Sequence, residues 1–158
     1  MIYKLSPVST REVIAPDGEV VEIPVDPITS MKLKGASIPV NISLSASAAE
    51  LTKSYEKQIK SFNCEALIDT GASISVISPK VAEQLSLIEI GFENITSVHS
   101  IELRPVYFGR ITFPWGSGME IPLVCCELQG FDCLIGRDVL RYWHVTYNGF
   151  NGEITICD

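Results

Sequence analysis

The chain lacks several features that define common classes of protein. Its 158 residues contain no apolar run as long as a membrane-spanning helix requires. Residues 1–16 contain no continuous apolar segment of the signal-peptide type, so we expect a cytoplasmic location and no membrane partner. The formal net charge of −7 opposes binding to nucleic acid, and we expect no nucleic-acid partner.

Paired metal-binding cysteines are also missing. The chain has five cysteines, an odd number, and no two of them have the two-residue separation typical of zinc sites. We therefore predict reduced thiols, no metal and no cofactor. No cysteine stands out beside a histidine, which argues against a cysteine hydrolase.

The most informative stretch spans residues 64–78, where a polar turn separates two apolar segments. This pattern predicts a buried strand, a tight turn that carries Asp69, and a second strand. Gly71 permits the sharp bend, and the hydroxyls of Thr70 and Ser73 are able to hydrogen-bond within it. A carboxylate between apolar strands is costly to bury unless it is paired or hydrogen-bonded, so Asp69 is the candidate for chemistry.

A second motif lies near the C-terminus, at residues 131–140, with the sequence Phe-Asp-Cys-Leu-Ile-Gly-Arg-Asp-Val-Leu. The turn at residues 69–73, Asp-Thr-Gly-Ala-Ser, resembles the active-site turn of the retropepsin-like aspartic proteases, a single-domain family. The second motif is similar to the apolar strand end and the arginine-containing helix of that family. The resemblance covers about residues 36–156. It implies an all-β fold, mostly an antiparallel closed barrel, with two or three short helices.

The resemblance also implies roles for individual residues. The catalytic residues would be Asp69, Thr70 and Gly71. The substrate-binding residues would be Gly71 and Ala72 in the turn, and His99 and Ser100 at the tip of a flap hairpin. The residues that support the site would be Ser73, Gly136 and Arg137.

The sequence departs from the family pattern at two places. No glycine lies between Gly91 and Gly109, although a glycine-rich tip lets a flap bend over its substrate. Retroviral members carry an acidic residue at the position of Ser73, so the ion pair that it makes is absent or replaced.

The chain contains one Asp-Thr-Gly turn and no internal repeat that would duplicate it. Aspartic protease chemistry needs two carboxyl groups around one water, so the interpretation requires a two-fold dimer. We therefore expect a homodimeric aspartic endopeptidase whose partners are a second copy and a peptide or protein substrate. The alternative is a catalytically weak or inactive module of the same fold that dimerises or binds peptides.

The remaining elements follow from turn signals and periodicity. Residues 1–35 are predicted to form an N-terminal extension with a hairpin around residues 16–18, and residues 36–158 the retropepsin-like domain. A helical insertion is predicted at about residues 47–60, capped by Ser47 and Glu50, with Phe62 on its apolar face. Further helices are predicted at residues 79–85 and 137–144, and the flap hairpin at residues 95–98 and 102–108.

Overall fold

Strands make up most of the chain in the computed structural model, which describes residues 1–7, 9–15, 18–54, 60–96 and 101–157. The strands in these ranges are β1 (Ile2–Leu5), β2 (Ser9–Ile14), β3 (Val20–Val25), β4 (Ser37–Ser43), β5 (Ser61–Ile68), β6 (Val76–Ile77), β7 (Ile88–Thr96), β8 (Ile101–Thr112), β9 (Gly118–Cys125), β10 (Cys133–Ile135), β11 (His144–Asn148) and β12 (Glu153–Cys157). The helices are α1 (Pro27–Lys34), α2 (Ala46–Ser54), α3 (Pro79–Leu85) and α4 (Arg137–Leu140).

The principal sheet has seven strands in the order β4-β5-β10-β6-β9-β8-β7. β4 also pairs with β8, so the sheet curves back on itself and six of its strands form a ring. The pairs β5–β10 and β6–β9 are parallel, and the other pairs of this sheet are antiparallel. The mostly-β class agrees with the sequence prediction, while the closed barrel stays a prediction.

The core lies inside the ring and follows the two-residue period of the strands. β4 buries Ile38, Val40 and Ile42, and β5 buries Ala66 and Ile68. Because side chains alternate along a strand, Ala66 and Ile68 lie on the same, covered face of β5. Ile68 is the last residue of β5, and Asp69 follows it directly.

A second sheet, in the order β1-β12-β11, joins the two ends of the chain. Four aromatic rings pack beside it, with centroid separations of 4.4–5.3 Å: Tyr3, Phe113, Trp115 and Trp143. β2 and β3 form a separate antiparallel hairpin. Residues 16 and 17 of the predicted turn lie outside the described residues, and the division of the chain at residue 35 stays a prediction.

Helix α1 was not predicted, so the described residues hold four helices where the sequence suggested two or three. The carboxylate of Asp26 caps α1 by accepting hydrogen bonds from the Thr29 amide at 3.0 Å and the Thr29 hydroxyl at 2.7 Å. These bonds lower the pKa of Asp26. Pro27 occupies the first turn of the helix, where its missing N–H costs nothing.

Two helix predictions need correction. α2 begins at Ala46, and the hydroxyl of Ser45, not Ser47, accepts from an amide of its first turn, at 3.4 Å. Phe62 belongs to β5 because it pairs there with Ile42, and residues 55–59 of the predicted helix lie outside the described residues.

The helix predicted at residues 137–144 is shorter. α4 ends at Leu140, and His144 already pairs with Cys157 in the terminal sheet. Trp143, which follows α4 and precedes β11, packs edge-on against Phe113.

The region between α3 and β9 is one long hairpin. β7 begins at Ile88, and Gly91 lies within this strand, at an irregularity in its pairing with β8. β7 pairs with β8 up to Thr96 and Ile101, which confirms a hairpin at the predicted flap. None of the described helices is long and apolar enough to cross a membrane.

Candidate active site

The turn that carries Asp69 starts where two parallel strands end together. β5 and β10 pair in register up to Ile68 and Ile135. The Asp69 amide then donates to the Ile135 carbonyl at 3.0 Å, so the pairing holds the backbone of Asp69 itself. Asp69 is half-buried, whereas Thr70 and Gly71 are exposed. The carboxyl group therefore sits at the border between the core and solvent.

The carboxylate is oriented by its own turn. The Gly71 amide donates to Asp69 Oδ1 at 2.7 Å, and the Ala72 amide donates to the Asp69 carbonyl at 3.3 Å. A Cβ atom at position 71 would lie 3.0 Å from Asp69 Oδ1, closer than such contacts normally are. The lack of a side chain at Gly71 therefore lets the backbone approach the carboxylate.

Arg137 hydrogen-bonds to the backbone of the turn that carries Asp69. One guanidinium nitrogen, Nη1, donates to the carbonyls of Thr70 and Gly71, at 2.9 Å each. The Arg137 amide also donates to the Ala72 carbonyl at 2.9 Å. The Gly71 carbonyl thus already accepts one hydrogen bond and retains its second lone pair.

A buried network ties the second arm of the turn to α4. The Ser75 amide donates to Asp138 Oδ2 at 3.0 Å, and the Ser75 hydroxyl donates to Asp138 Oδ1 at 2.8 Å. The same hydroxyl accepts from the Gly136 amide at 3.1 Å, and Oδ1 also accepts from the Val139 amide at 3.0 Å. Ser75 is fully buried, and the network satisfies its polar groups.

Gly136 makes this close approach possible. A Cβ atom at position 136 would lie 2.6 Å from the carbonyl carbon and oxygen of Ile74, a distance that requires the backbone to move. Gly136 therefore lets the start of α4 pack directly on the second arm of the turn.

Three residues around the turn were not predicted from the sequence: Ser75, Asp138 and Tyr147. Ser75 and Asp138 were not singled out, although a serine inside the apolar segment Ile74–Ile77 signals a buried polar group that needs a partner. Tyr147, on β11, also lies near the turn. Partial burial raises the pKa of Tyr147, and the negative charge of Asp69 raises it further. No sequence pattern links β11 to this turn.

Two predicted substrate-binding residues are not placed by the structure. His99 and Ser100 lie outside the described residues. Ala72 and Ser73 follow Gly71 in the turn, where Ser73 is exposed. Within the described residues, no group of three or more His, Cys, Asp or Glu side chains is arranged to hold a metal ion.

Comparison with known proteins shows only distant likeness, and to solved structures alone. No protein-family model matches the chain, and no curated protein matches it. Among solved structures, the chain is similar to the foamy viral protease-reverse transcriptase in complex with an RNA/DNA hybrid, with a TM-score of 0.46 and 20% identity. The match covers 68% of this chain and 12% of that protein. A likeness this distant carries no weight for the activity or assembly of this chain.

Proposed function

We propose that the protein is a homodimeric aspartic endopeptidase in which two Asp69 carboxyl groups, one from each copy, activate a single water. The observation that carries the proposal is the half-buried Asp69 carboxylate at the end of a core strand, oriented by the Gly71 amide at 2.7 Å. The sequence supplies one such turn, so a second copy has to provide the other carboxyl group.

The chemistry follows from two carboxyl groups that share one proton. The ionised carboxylate takes a proton from the water, and the resulting hydroxide attacks the carbonyl carbon of the scissile peptide bond. The protonated carboxyl group donates a hydrogen bond to the carbonyl oxygen, where negative charge develops. The carboxyl group that took the proton from the water then passes it to the leaving nitrogen, the C–N bond breaks, and the tetrahedral intermediate collapses to an amine and a carboxylic acid, which returns the pair of carboxyl groups to its starting state.

The hydrogen bonds that hold the turn support a catalytic role for Asp69. Reacting groups have to be held in place to within a fraction of an ångström, which requires supporting hydrogen bonds. Here Arg137 fixes the carbonyls of Thr70 and Gly71, while Asp138 fixes Ser75 on the other arm. Thr70 is exposed at the outer point of the turn, a position compatible with contact across a two-fold axis.

The test is the substitution Asp69→Asn, which keeps the size of the side chain and removes the general base. Incubation with a mixed peptide library and mass spectrometry of the products measures cleavage. We expect the wild-type protein to cut peptides and a statine-type transition-state analogue to block it. We expect Asp69→Asn to lower the rate at least about a hundredfold.

Asp26→Asn is the matched control, because Asn is also a good helix cap and should leave the rate unchanged. Sedimentation at micromolar concentration should give a dimer for all three proteins. Unchanged cleavage by Asp69→Asn, or a wild-type monomer that still cuts peptides, would contradict the proposal.

A second candidate function is a dimerisation or peptide-binding module with little or no turnover. The feature that favours it is the lack of glycine between Gly91 and Gly109, since the hairpin of β7 and β8 carries no glycine hinge at its tip. This alternative predicts a dimer in which wild-type protein and Asp69→Asn bind peptides equally and neither cuts them.

A further inference from the structure

A pocket of about 550 Å³ lies between the catalytic turn, β7, β9 and α4. We call it the flap-side pocket. Ser73 and Ile74 line it from the second arm of the turn, and Asp138 lines it from α4. Glu93, Asn94 and Ile95 line it from β7, in the hairpin of β7 and β8. A peptide that passes Asp69 beneath this hairpin would therefore run beside the pocket.

The walls of the pocket are mainly apolar. Five side chains form them: Ile74, Ile95, Met119, Ile121 and Pro122. Around them stand three carboxylates, from Glu93, Glu120 and Asp138, and one guanidinium, from Arg141. The pocket thus combines a long apolar surface with an excess of negative charge.

Most of these charged groups already have partners. The Arg141 guanidinium stacks on the Tyr142 ring at 4.7 Å and donates to its hydroxyl at 2.7 Å. Asp138 accepts from Ser75, and Glu120 accepts from the Ala46 amide at 2.7 Å.

Glu93 differs from the other carboxylates. It is exposed, and the part of the chain that the structure describes shows no ion pair with it. Its cross-strand neighbour, Arg104, forms an ion pair with Glu102 instead. Glu93 is therefore the carboxylate that is available to a ligand.

We propose, resting on the peptidase function above, that the flap-side pocket receives a lysine or arginine side chain of the substrate at a position that flanks the scissile bond. Lysine and arginine carry a long aliphatic stem that packs on apolar surface and a charged end that stays near water. The stem would lie against Ile74 and Ile95, and the cation would reach Glu93. The net charge of −7 also favours the approach of basic peptides.

The first experiment measures binding without cleavage, on full-length Asp69→Asn labelled for NMR. The probes are N-acetyl-lysine-N-methylamide and N-acetyl-norleucine-N-methylamide, which share a stem but differ in charge. We expect the lysine probe to shift the amides of Ser73, Ile95 and Met119 and to bind more tightly than the norleucine probe. Adding Glu93→Gln should weaken lysine binding about two- to fivefold, the usual range for an exposed ion pair.

Glu89→Gln, on the same strand but outside the pocket, is the matched control and should leave lysine binding unchanged. Equal binding of the two probes, or shifts confined to other parts of the protein, would overturn the proposal.

The second experiment measures specificity, by mapping the sites that wild-type protein cuts in a mixed peptide library. We expect lysine and arginine to be enriched at one position, and the enrichment to fall in Glu93→Gln but not in Glu89→Gln. Cleavage without a basic preference rejects this inference and leaves the peptidase proposal standing. If no peptide is cut, the peptidase proposal fails, and the NMR comparison alone decides whether the pocket binds a basic side chain.

Discussion

The hydroxyl of Ser75 allows a quantitative test of how the turn that carries Asp69 is held. In Ser75→Ala the buried Gly136 amide loses its acceptor, and Asp138 Oδ1 loses one of its donors. Each buried polar group left without a partner costs about 1–3 kcal/mol. Since Oδ1 keeps its bond from the Val139 amide, only the Gly136 amide is left without a partner, and we expect a loss of about 1–3 kcal/mol in the free energy of unfolding. For a chain of this size that loss lowers Tm by roughly 2–12 °C.

The measurement is urea denaturation followed by tryptophan fluorescence, because Trp115 and Trp143 pack in one aromatic cluster. Ser61→Ala, at an exposed position of β5, is the matched control and should change stability by less than about 0.5 kcal/mol. A loss in Ser75→Ala no larger than that of the control would refute the argument.

A double-mutant cycle with Asp138→Ala separates the pair from other effects. Ser75→Ala removes the donor of the hydrogen bond from the Ser75 hydroxyl to Asp138 Oδ1, and Asp138→Ala removes its acceptor, so each single substitution breaks the same contact. We expect a coupling free energy of about 1–3 kcal/mol between the two positions. Additivity within about 0.5 kcal/mol would show that the two side chains act independently.

Two further predictions concern groups on either side of the turn. Gly136→Ala should destabilise the protein by more than about 3 kcal/mol, because the added Cβ atom would lie 2.6 Å from the backbone of Ile74. A Tm within about 2 °C of that of the wild type would contradict this prediction. Burial raises the pKa of Glu65 and outweighs the hydrogen bond from Ser37 and the charge of Lys34, which both lower it. The folded protein therefore loses stability as the pH rises and Glu65 ionises. Glu65→Gln should therefore be more stable than wild type at pH 7, and the difference should shrink towards about pH 4. A difference in unfolding free energy that does not vary with pH would contradict this prediction. Glu12→Gln, at an exposed position, is the control.

The local sequence determined the strand–turn–strand segment around Asp69. The apolar residues that flank the turn fix which face of β5 is buried, and Gly71 fixes where the chain bends. The local sequence likewise determined α3, whose first residue is Pro79, and the hairpin of β7 and β8. These elements depend on neighbours in the chain, so a pattern in the sequence is enough to predict them. The catalytic role of Asp69 itself stays a proposal.

Element ends were less predictable, because contacts with distant strands set them. Phe62 fits a helical face by spacing, yet pairing with Ile42 places it in β5. α4 stops at Leu140 since Trp143 packs on Phe113 and His144 pairs with Cys157.

Only the tertiary structure decided what holds and surrounds the turn. The bonds from Arg137 to Thr70 and Gly71, and from Ser75 to Asp138, join residues more than sixty positions apart. The sequence shows that a serine in an apolar strand needs a partner, but many polar residues are able to provide one. The parallel pairing of β5 and β10 brings the start of α4 against the turn. Asp138 becomes the partner of Ser75 because hydrogen bonds require atoms within about 3 Å of each other.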